Sequence, residues 1–299
     1  MSTEAFSDRL HLSSANKERL GVINSIIEEY RKQGYKMTLR QLYYQLVSRD
    51  VIPNNLKEYA KLSKLLVQGR MAGVVDWDAI EDRIRVPFIP YWVRGVVHAI
   101  EDTIDQYRLD RMRDQDVYIE VWVEKDALSG VLRRITSHYH VNLMVNRGYS
   151  SCTAMHDAYE RLSAKESDGK RCVILYLGDH DPSGMDMTRD VEERLNEFGV
   201  HPEIRRVALT DAQIKKYNPP PNPAKFSDPR AKDYVAQYGR TSWEVDALPP
   251  NVLHQIITEN VEGLIDMRKF KRLLAQEVSD RELLSKARDS IDDGDDSDG

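Results

Sequence analysis

The fold class is decided by Val121-Trp122-Val123-Glu124-Lys125-Asp126 together with Leu175-Tyr176-Leu177-Gly178-Asp179-His180-Asp181-Pro182-Ser183-Gly184. Each stretch is a hydrophobic run that ends in carboxylates, at the point where a β-strand is expected to stop. The carboxyl ends of parallel strands converge on one edge of an open α/β sheet, which is the usual place for a ligand in such folds. Three carboxylates at that edge, from Glu124, Asp179 and Asp181, predict a cation site.

The region around these stretches alternates predicted strands and helices. Strands are expected at 117–123, 141–145, 172–177 and 203–209, and the helices between them at 127–139, 151–163 and 185–198. This order is typical of a parallel sheet with helices packed on it. The predicted fold class is therefore α/β with a Rossmann-like parallel sheet.

The part of the chain before the sheet is helical and basic. Apolar spacing predicts helices at 14–33, 39–47 and 56–72, a short acidic helix at 74–85 and a connector helix at 93–112. Residues 31–70 contain nine Lys or Arg and two acids. Three short helices with one basic face fit a helix-turn-helix or winged-helix-like module that binds a polyanion, although a solvated helix face remains the alternative. The candidate DNA contacts are Lys57, Lys61, Lys64 and Arg70.

Composition describes an ordinary globular chain of 299 residues, with 41% hydrophobic and 31% charged residues. The polar N-terminus predicts no signal peptide and no apolar run approaches a membrane span. Two cysteines without metal-ligand or redox spacing favour a reduced, cytoplasmic setting. The net charge of −6 owes much to five aspartates after residue 290, in a tail expected to be disordered.

These patterns predict six successive parts of the chain. Pro219, Pro220 and Pro221 mark a change of character after the sheet, because proline continues neither a helix nor a central strand. Beyond them, Glu244 and Asp246 form an acidic pair whose spacing does not decide between metal, DNA and core contacts. The predicted parts are a helical extension (1–36), the winged-helix-like domain (37–92), a connector (93–116), the sheet domain (117–210), a C-terminal extension (211–290) and the acidic tail (291–299).

Four motifs in order carry a family resemblance. Glu124 and Asp179-x-Asp181, each after a strand, resemble the TOPRIM domain of topoisomerases, primases and some nucleases. More narrowly, Val123-Glu124-Lys125-Asp126-Ala127, Arg147-Gly148-Tyr149 and Asp179-x-Asp181-Pro182-x-Gly184 resemble the A subunit of topoisomerase VI and its relatives that make meiotic double-strand breaks. Arg40-Gln41-Leu42-Tyr43-Tyr44 stands where that family carries an Arg-x-x-Tyr-Tyr-like motif in a winged-helix domain. The resemblance covers roughly residues 38–209.

The resemblance implies a DNA-cleaving active site. Tyr44 would attack DNA, with Arg40 one helical turn away to contact the phenol or a phosphate. Mg²⁺, or Mn²⁺, would be held by Glu124, Asp179 and Asp181, since hard cations prefer oxygen ligands. Glu124 would thus serve catalysis as well as metal binding, and no other cofactor is expected.

The resemblance also implies partners. Lys125 and Arg147 would hold phosphates of double-stranded DNA beside the metal. The active unit would be a homodimer in which the tyrosine of one protomer meets the metal site of the other. Because the sequence has no ATP-binding pattern, strand passage would require a separate ATPase subunit.

The sequence departs from the family pattern at two positions. Ser150 stands where the family usually has proline, and Ala154 where arginine is common, so substrate contacts there are expected to differ. Two alternative functions stay open. A hydrolytic nuclease would keep the acids but attack DNA with activated water. A noncatalytic DNA-binding subunit would keep the acids as relics without a catalytic role. Tyr43 is expected to pack in the core, and His180 to be structural.

Overall fold

The computed structural model describes residues 5–6, 12–81, 90–146, 150–223 and 230–295. The chain is α/β, with a four-stranded parallel sheet and many helices, as the sequence predicts. The helices are α1 (Ser14–Lys32), α2 (Leu39–Ser48), α3 (Leu56–Met71), α4 (Val96–Gln106), α5 (Ser129–Tyr139), α6 (Cys152–Ser167), α7 (Pro182–Phe198), α8 (Asp211–Tyr217), α9 (Ala231–Tyr238), α10 (Pro250–Glu262) and α11 (Met267–Asp295). The strands are β1 (Val117–Val123), β2 (Asn142–Val145), β3 (Arg171–Leu177), β4 (Glu203–Ala208), β5 (Asn222–Pro223) and β6 (Thr241–Ser242).

Helices α1, α2 and α3 form a unit with its own core. Leu20, Ile23 and Leu42 are fully buried in it. Helix α2 starts with a capping box, in which the Thr38 hydroxyl accepts the Gln41 N–H and the Gln41 side chain accepts the Thr38 N–H. All three helices begin and end within one residue of the limits predicted from the sequence.

The prediction of an acidic helix at 74–85 is wrong for residues 74–81, which the structure describes. That part forms turns and a β-bridge to Met37, whose carbonyl accepts the Glu81 N–H at 2.9 Å. The Asp76 carboxylate accepts a backbone N–H two residues on at 3.0 Å, which is a local alternative to helix formation. Residues 82–85 lie outside the described residues.

The central sheet has the strand order β2-β1-β3-β4, with every neighbouring pair parallel. In register, Val121 lies opposite Leu143 on one side and Leu175 on the other. Strands β1 and β3 are central and almost entirely buried, as expected when helices cover both faces. Both acid-bearing stretches therefore leave the sheet at its middle.

Successive residues of β1 point into two separate cores. Val121 and Val123 pack with α5 and α10, where Leu132 and Leu253 are fully buried. Trp122 packs on the other face with α6 and α7. Helix α10 lies in the predicted C-terminal extension, so this late part of the chain supplies one of the layers that cover the sheet.

A buried acid in β1 shows how the sheet tolerates charge. Glu120 is fully buried, and its carboxylate accepts hydrogen bonds from Arg161 Nε (2.9 Å), Tyr118 Oη (2.7 Å) and Trp122 Nε1 (2.8 Å). Burial opposes ionisation, but these bonds and the Arg161 charge hold the pKa of Glu120 below its ordinary value. The carboxylate is therefore a satisfied structural group.

The connector and the end of the chain pack on each other. Helix α4 is shorter than the helix predicted at 93–112 and lies along α11. Helix α11 runs to Asp295, so it enters the stretch from 291 that was expected to be disordered. Among the described residues, no helix has both the length and the apolar character needed to span a membrane.

Helix α7 starts so close to β3 that its first turn requires glycine. A Cβ added to Gly184 would collide with the backbone carbonyl oxygen of Asp179 and lie 3.0 Å from its carbonyl carbon. Since backbone atoms cannot move aside as a flexible side chain can, this approach fixes the Asp179 backbone against the helix. In α1, by contrast, a Cβ added to Gly21 meets nothing within 4 Å.

We expect Gly184→Ala to lower the free energy of unfolding by about 1–3 kcal/mol, the usual cost of forcing atoms into a packed site. Urea denaturation measures this value. The matched control is Gly21→Ala, which is expected to be neutral or to raise stability by up to about 1 kcal/mol because alanine favours helices. Equal effects of the two substitutions would contradict the close approach.

Candidate functional site

The ends of the two central strands lie side by side, so two of the predicted acids meet. The Glu124 N–H donates to the Leu177 carbonyl at 3.0 Å, and the Glu124 carboxylate accepts the Asp179 N–H at 3.1 Å. Burial raises the pKa of Glu124, and the nearby Asp181 carboxylate raises it further. The sheet edge therefore concentrates acid where the sequence predicts it.

Asp181 begins α7. Its carboxylate accepts the Gly184 N–H at 2.6 Å, which makes it the N-cap residue of that helix. Asp181 also lines a cavity beside the sheet edge. It is therefore at the site but already bonded to backbone.

His180 holds a second segment against the sheet edge. It is buried, its Nδ1 lies 2.9 Å from the Tyr234 hydroxyl, and its backbone pairs antiparallel with Trp243. The His180 N–H donates to the Trp243 carbonyl at 2.8 Å, and the reverse bond is 3.0 Å. Two residues on, the Val245 N–H donates to Asp179 Oδ1 at 2.9 Å. His180 thus has the structural role that was expected of it.

The bridged segment adds Glu244 and Asp246 to the site. Ligand atoms of Asp179, Glu244 and Asp246 all lie within 4.8 Å of one another. Of the three ligands predicted from sequence, Asp179 alone belongs to this group. Glu124 and Asp181 flank it. The candidate ligand set therefore draws on two distant parts of the chain.

The donor set fits a hard divalent cation. All three candidate groups are carboxylates, the oxygen ligands that Mg²⁺ and Mn²⁺ prefer. The Asp246 side chain is completely buried, and its Oδ1 has no hydrogen-bond partner among the described residues. A buried carboxylate oxygen without a partner is costly, and a cation bound by the group would satisfy it.

Two basic side chains lie between these acids. Lys125 Nζ is 2.7 Å from Asp179 Oδ2 and 2.9 Å from Glu244 Oε2. Arg40 pairs with Glu244, and its Nε donates to Asp246 Oδ2 at 2.5 Å. Unit charges about 4 Å apart repel by roughly 4 kcal/mol at an effective dielectric of about 20, so the cations offset a large repulsion. Lys125, predicted to contact DNA, is here a counter-ion of the acids.

A third cation fixes the backbone of the site. Arg206 in β4 donates to the carbonyls of Gly178 (2.9 Å), Asp179 (2.5 Å) and Gly184 (2.9 Å). These bonds tie the end of β3 to the first turn of α7. The sequence reasoning missed Arg206, because nothing in its strand distinguishes it from a surface arginine.

Helix α2 brings Tyr44 to the same place. Arg40 Nη2 donates to the Tyr44 hydroxyl at 3.3 Å, the contact expected at that spacing. Tyr44 is only 5% exposed. Burial raises the pKa of the phenol, the Asp246 charge raises it further, and Arg40 lowers it. The phenol is therefore neutral around pH 7.

A cavity of about 430 Å³ joins these groups. It lies between the starts of α2 and α3 and the segment that contains β5 and β6. Arg40, Tyr44, Asp181 and Glu244 all line it. A phenol, a guanidinium and carboxylates therefore face one space that a ligand could enter.

The lysines predicted to bind DNA lie on the outer face of α3. Lys57, Lys61 and Lys64 are exposed, and Lys61 pairs with Glu58 at 2.5 Å. Helix α3 starts at the cavity, because its Leu56 is one of the lining residues. The basic face thus begins beside Tyr44.

Arg70 does not belong to that face. Its Nη2 donates to the carbonyls of Trp77 (3.0 Å) and Ile80 (2.5 Å), and its guanidinium stacks on the Trp77 ring. These hydrogen bonds hold a turn, and the assignment of Arg70 as a DNA contact stays a prediction. Arg147, the other predicted phosphate ligand, lies outside the described residues.

Glu244 and Asp246 are the functional candidates that the sequence did not resolve. Their spacing was visible, but no predicted strand preceded them, and their partner Asp179 lies more than sixty residues earlier. A second group, His156, Asp157 and Glu160, lies exposed on α6. Its members are near neighbours on one helix, which brings such side chains together without any ligand.

No family model, curated protein or solved structure matches this chain. The class of the protein therefore rests on its α/β fold, its acidic sheet edge and the motifs of its sequence.

The buried acids predict a dependence of stability on pH. Burial, and then the Glu124 charge, raise the pKa of Asp179 above the ordinary 3.8. The folded state thus binds the proton more tightly than the unfolded chain, so stability is lost as pH rises above the ordinary aspartate range. Asp179→Asn removes that loss, and its amide oxygen can still accept the Val245 N–H.

In metal-free protein we expect Asp179→Asn to have a higher free energy of unfolding than wild type at neutral pH. The difference should shrink towards about pH 4, because both side chains are then uncharged. Urea denaturation across this range, in chelator and constant salt, measures it. If wild type had the higher free energy of unfolding at neutral pH, the ion pair of Asp179 with Lys125 would stabilise the protein by more than burial of the carboxylate costs.

The position of the cation can be tested by titration with Mn²⁺. We expect Glu244→Gln to weaken binding on the order of tenfold or more, as loss of a ligand or of its supporting contacts usually does. Glu160→Gln, in the exposed group on α6, is the matched control and should bind as wild type. If Glu244→Gln bound Mn²⁺ as wild type does and Glu160→Gln lost binding, the ion would lie on α6 instead.

Proposed function

We propose that this chain is a Mg²⁺-dependent DNA-cleaving enzyme that resembles the A subunit of topoisomerase VI. In this proposal the central sheet forms a TOPRIM domain, α2 and α3 belong to a winged-helix-like domain, and breaks are made through a tyrosyl-DNA phosphodiester. One observation carries it. Tyr44 lines the same cavity as Asp181 and Glu244, and Arg40 contacts both the phenol and the carboxylates of Glu244 and Asp246.

The reaction exchanges one phosphodiester for another. The Tyr44 oxygen bonds to phosphorus as the bond from phosphorus to the departing deoxyribose oxygen breaks. The phenolic proton leaves, and the departing oxygen gains a proton. When bound by Asp179, Glu244 and Asp246, Mg²⁺ would offset the charge that develops on the phosphate oxygens. The Arg40 charge favours the ionised phenol, and a guanidinium can also hold a phosphate.

The remaining residues suit DNA as substrate. Lys57, Lys61 and Lys64 offer an exposed basic face on the helix that starts at the cavity, and such faces bind the phosphates of double-stranded DNA. Lys125 would hold Asp179 and Glu244 in place. The resemblance adds a homodimer and a separate ATPase subunit to the proposal.

The second candidate is a hydrolytic nuclease in which activated water attacks the phosphate. The burial of Tyr44 favours it, because burial raises the pKa of the phenol and weakens it as a nucleophile. This enzyme would use the same acids but leave free DNA ends. A noncatalytic DNA-binding subunit, the third candidate, would bind DNA without breaking it.

We expect wild-type protein, incubated with labelled duplex and Mg²⁺, to give DNA that migrates with protein on a denaturing gel. Tyr44→Phe removes the attacking oxygen and should abolish this adduct. Tyr43→Phe is the matched control on the same helix, since the Tyr43 hydroxyl is bonded to Asn54 Oδ1 at 2.9 Å. It should retain the adduct.

The outcomes separate the three candidates. Cleavage to free ends that persists in Tyr44→Phe would support the nuclease and exclude the tyrosyl intermediate. Salt-dependent DNA binding with no cleavage in Mg²⁺ or Mn²⁺, with or without a partner, would support the noncatalytic subunit. An adduct lost in Tyr43→Phe but kept in Tyr44→Phe would reassign the nucleophile.

A further inference from the structure

The cavity beside Tyr44 has more aromatic and neutral polar surface than phosphate chemistry requires. Tyr43, Tyr59 and Trp243 line it, with Asn55 and Asn222 among the polar residues. These side chains come from α2, from the start of α3 and from the segment that carries Glu244. Glu244, one of the three candidate metal ligands, and the aromatic residues therefore share one space.

The aromatic rings are held in place by edge-to-face contacts. The Tyr43 ring lies 5.2 Å from Tyr59 and 5.4 Å from Tyr44, centroid to centroid. The Trp243 ring lies 5.9 Å from His180. Such contacts fix ring orientation, so the cavity presents preformed surfaces on which a flat group can stack.

Three residues that line the cavity carry side-chain groups that can donate a hydrogen bond to a ligand. They are Tyr59 with its hydroxyl, Trp243 with its indole N–H and Asn55 with its amide nitrogen. Asn54 is fully engaged, since it accepts from Tyr43 and donates to Asn222 at 2.6 Å.

Among the described residues, the aromatic part of the cavity contributes no cation of its own for a second phosphate. Among the described lining residues, the charged ones are Arg40, Asp181 and Glu244, and Arg40 already pairs with Glu244. A second anion would therefore find no further cation among these residues. A neutral, flat heterocycle can instead stack on the rings and accept hydrogen bonds.

We propose that this cavity takes one unstacked nucleobase of the DNA strand whose phosphate lies at Tyr44. The inference rests on the proposed function, because that function brings the strand to the cavity. Removing a base from the stack costs free energy that stacking and hydrogen bonds in a pocket return. The enzyme would then prefer sites where one base is easily unpaired.

The test uses photo-crosslinking, which requires no cleavage. Tyr44→Phe protein is mixed with duplexes carrying iodouracil at successive positions, with Ca²⁺ in place of Mg²⁺, irradiated and digested. Crosslinks are expected on peptides that contain Tyr59 or Trp243. Trp243→Ala should weaken binding of DNA with an unpaired base on the order of tenfold. Trp92→Ala, with an exposed indole that does not line the cavity, should change nothing.

Each outcome decides the inference. Crosslinks confined to other peptides, or crosslinking and binding that survive unchanged in both Trp243→Ala and Tyr59→Ala, would overturn it. The Mg²⁺ cleavage assay with wild type reports the proposed function separately. Crosslinks at Tyr59 or Trp243 without cleavage would sustain the base pocket and refute the enzyme. Cleavage without such crosslinks would support the enzyme and refute the base pocket. Failure to bind DNA would refute the enzyme and the base pocket alike.

Discussion

The candidate site depends on the short antiparallel bridge between His180 and Trp243. Through it, a segment from the C-terminal part of the chain lies against the end of β3, where the Val245 N–H reaches Asp179. The same segment continues into the helical core of α1 to α3, where Ala247 is buried. Sheet, helical unit and C-terminal part therefore meet at one place, and loss of the bridge would separate the acids from one another and from Tyr44.

This meeting creates an electrostatic problem that the chain solves with its own cations. Asp179 and Asp246 are buried, and burial penalises the charged form of a carboxylate. Lys125 and Arg40 come from two different elements and contact the acids directly. A bound cation and these side chains would act on the same carboxylates, so metal binding and the fold are thermodynamically linked.

Those features that depend on local sequence patterns can be predicted from the sequence alone. The strands that end just before Glu124 and Asp179, and the limits of α1 to α3, follow from hydrophobic periodicity and capping. The contact of Arg40 with Tyr44 follows from their spacing of four residues on a helix. Glu244 and Asp246 could not be placed, because their neighbours are set by a bridge to residues far along the chain. The contacts of Arg70 could not be predicted for a related reason. Its spacing on α3 marks a basic helix, whereas its burial depends on a turn formed by later residues.

The arrangement also bears on how a dimer would work. By resemblance, a tyrosine from one protomer meets the metal site of the other, yet Tyr44 here lines a cavity with Asp181 and Glu244 of its own chain. Arg40 joins the two through the Tyr44 hydroxyl and the carboxylates of Glu244 and Asp246. A dimer would therefore not be needed to complete the site. Its contribution would be to hold two such sites on opposite strands, so that two single-strand events make one double-strand break.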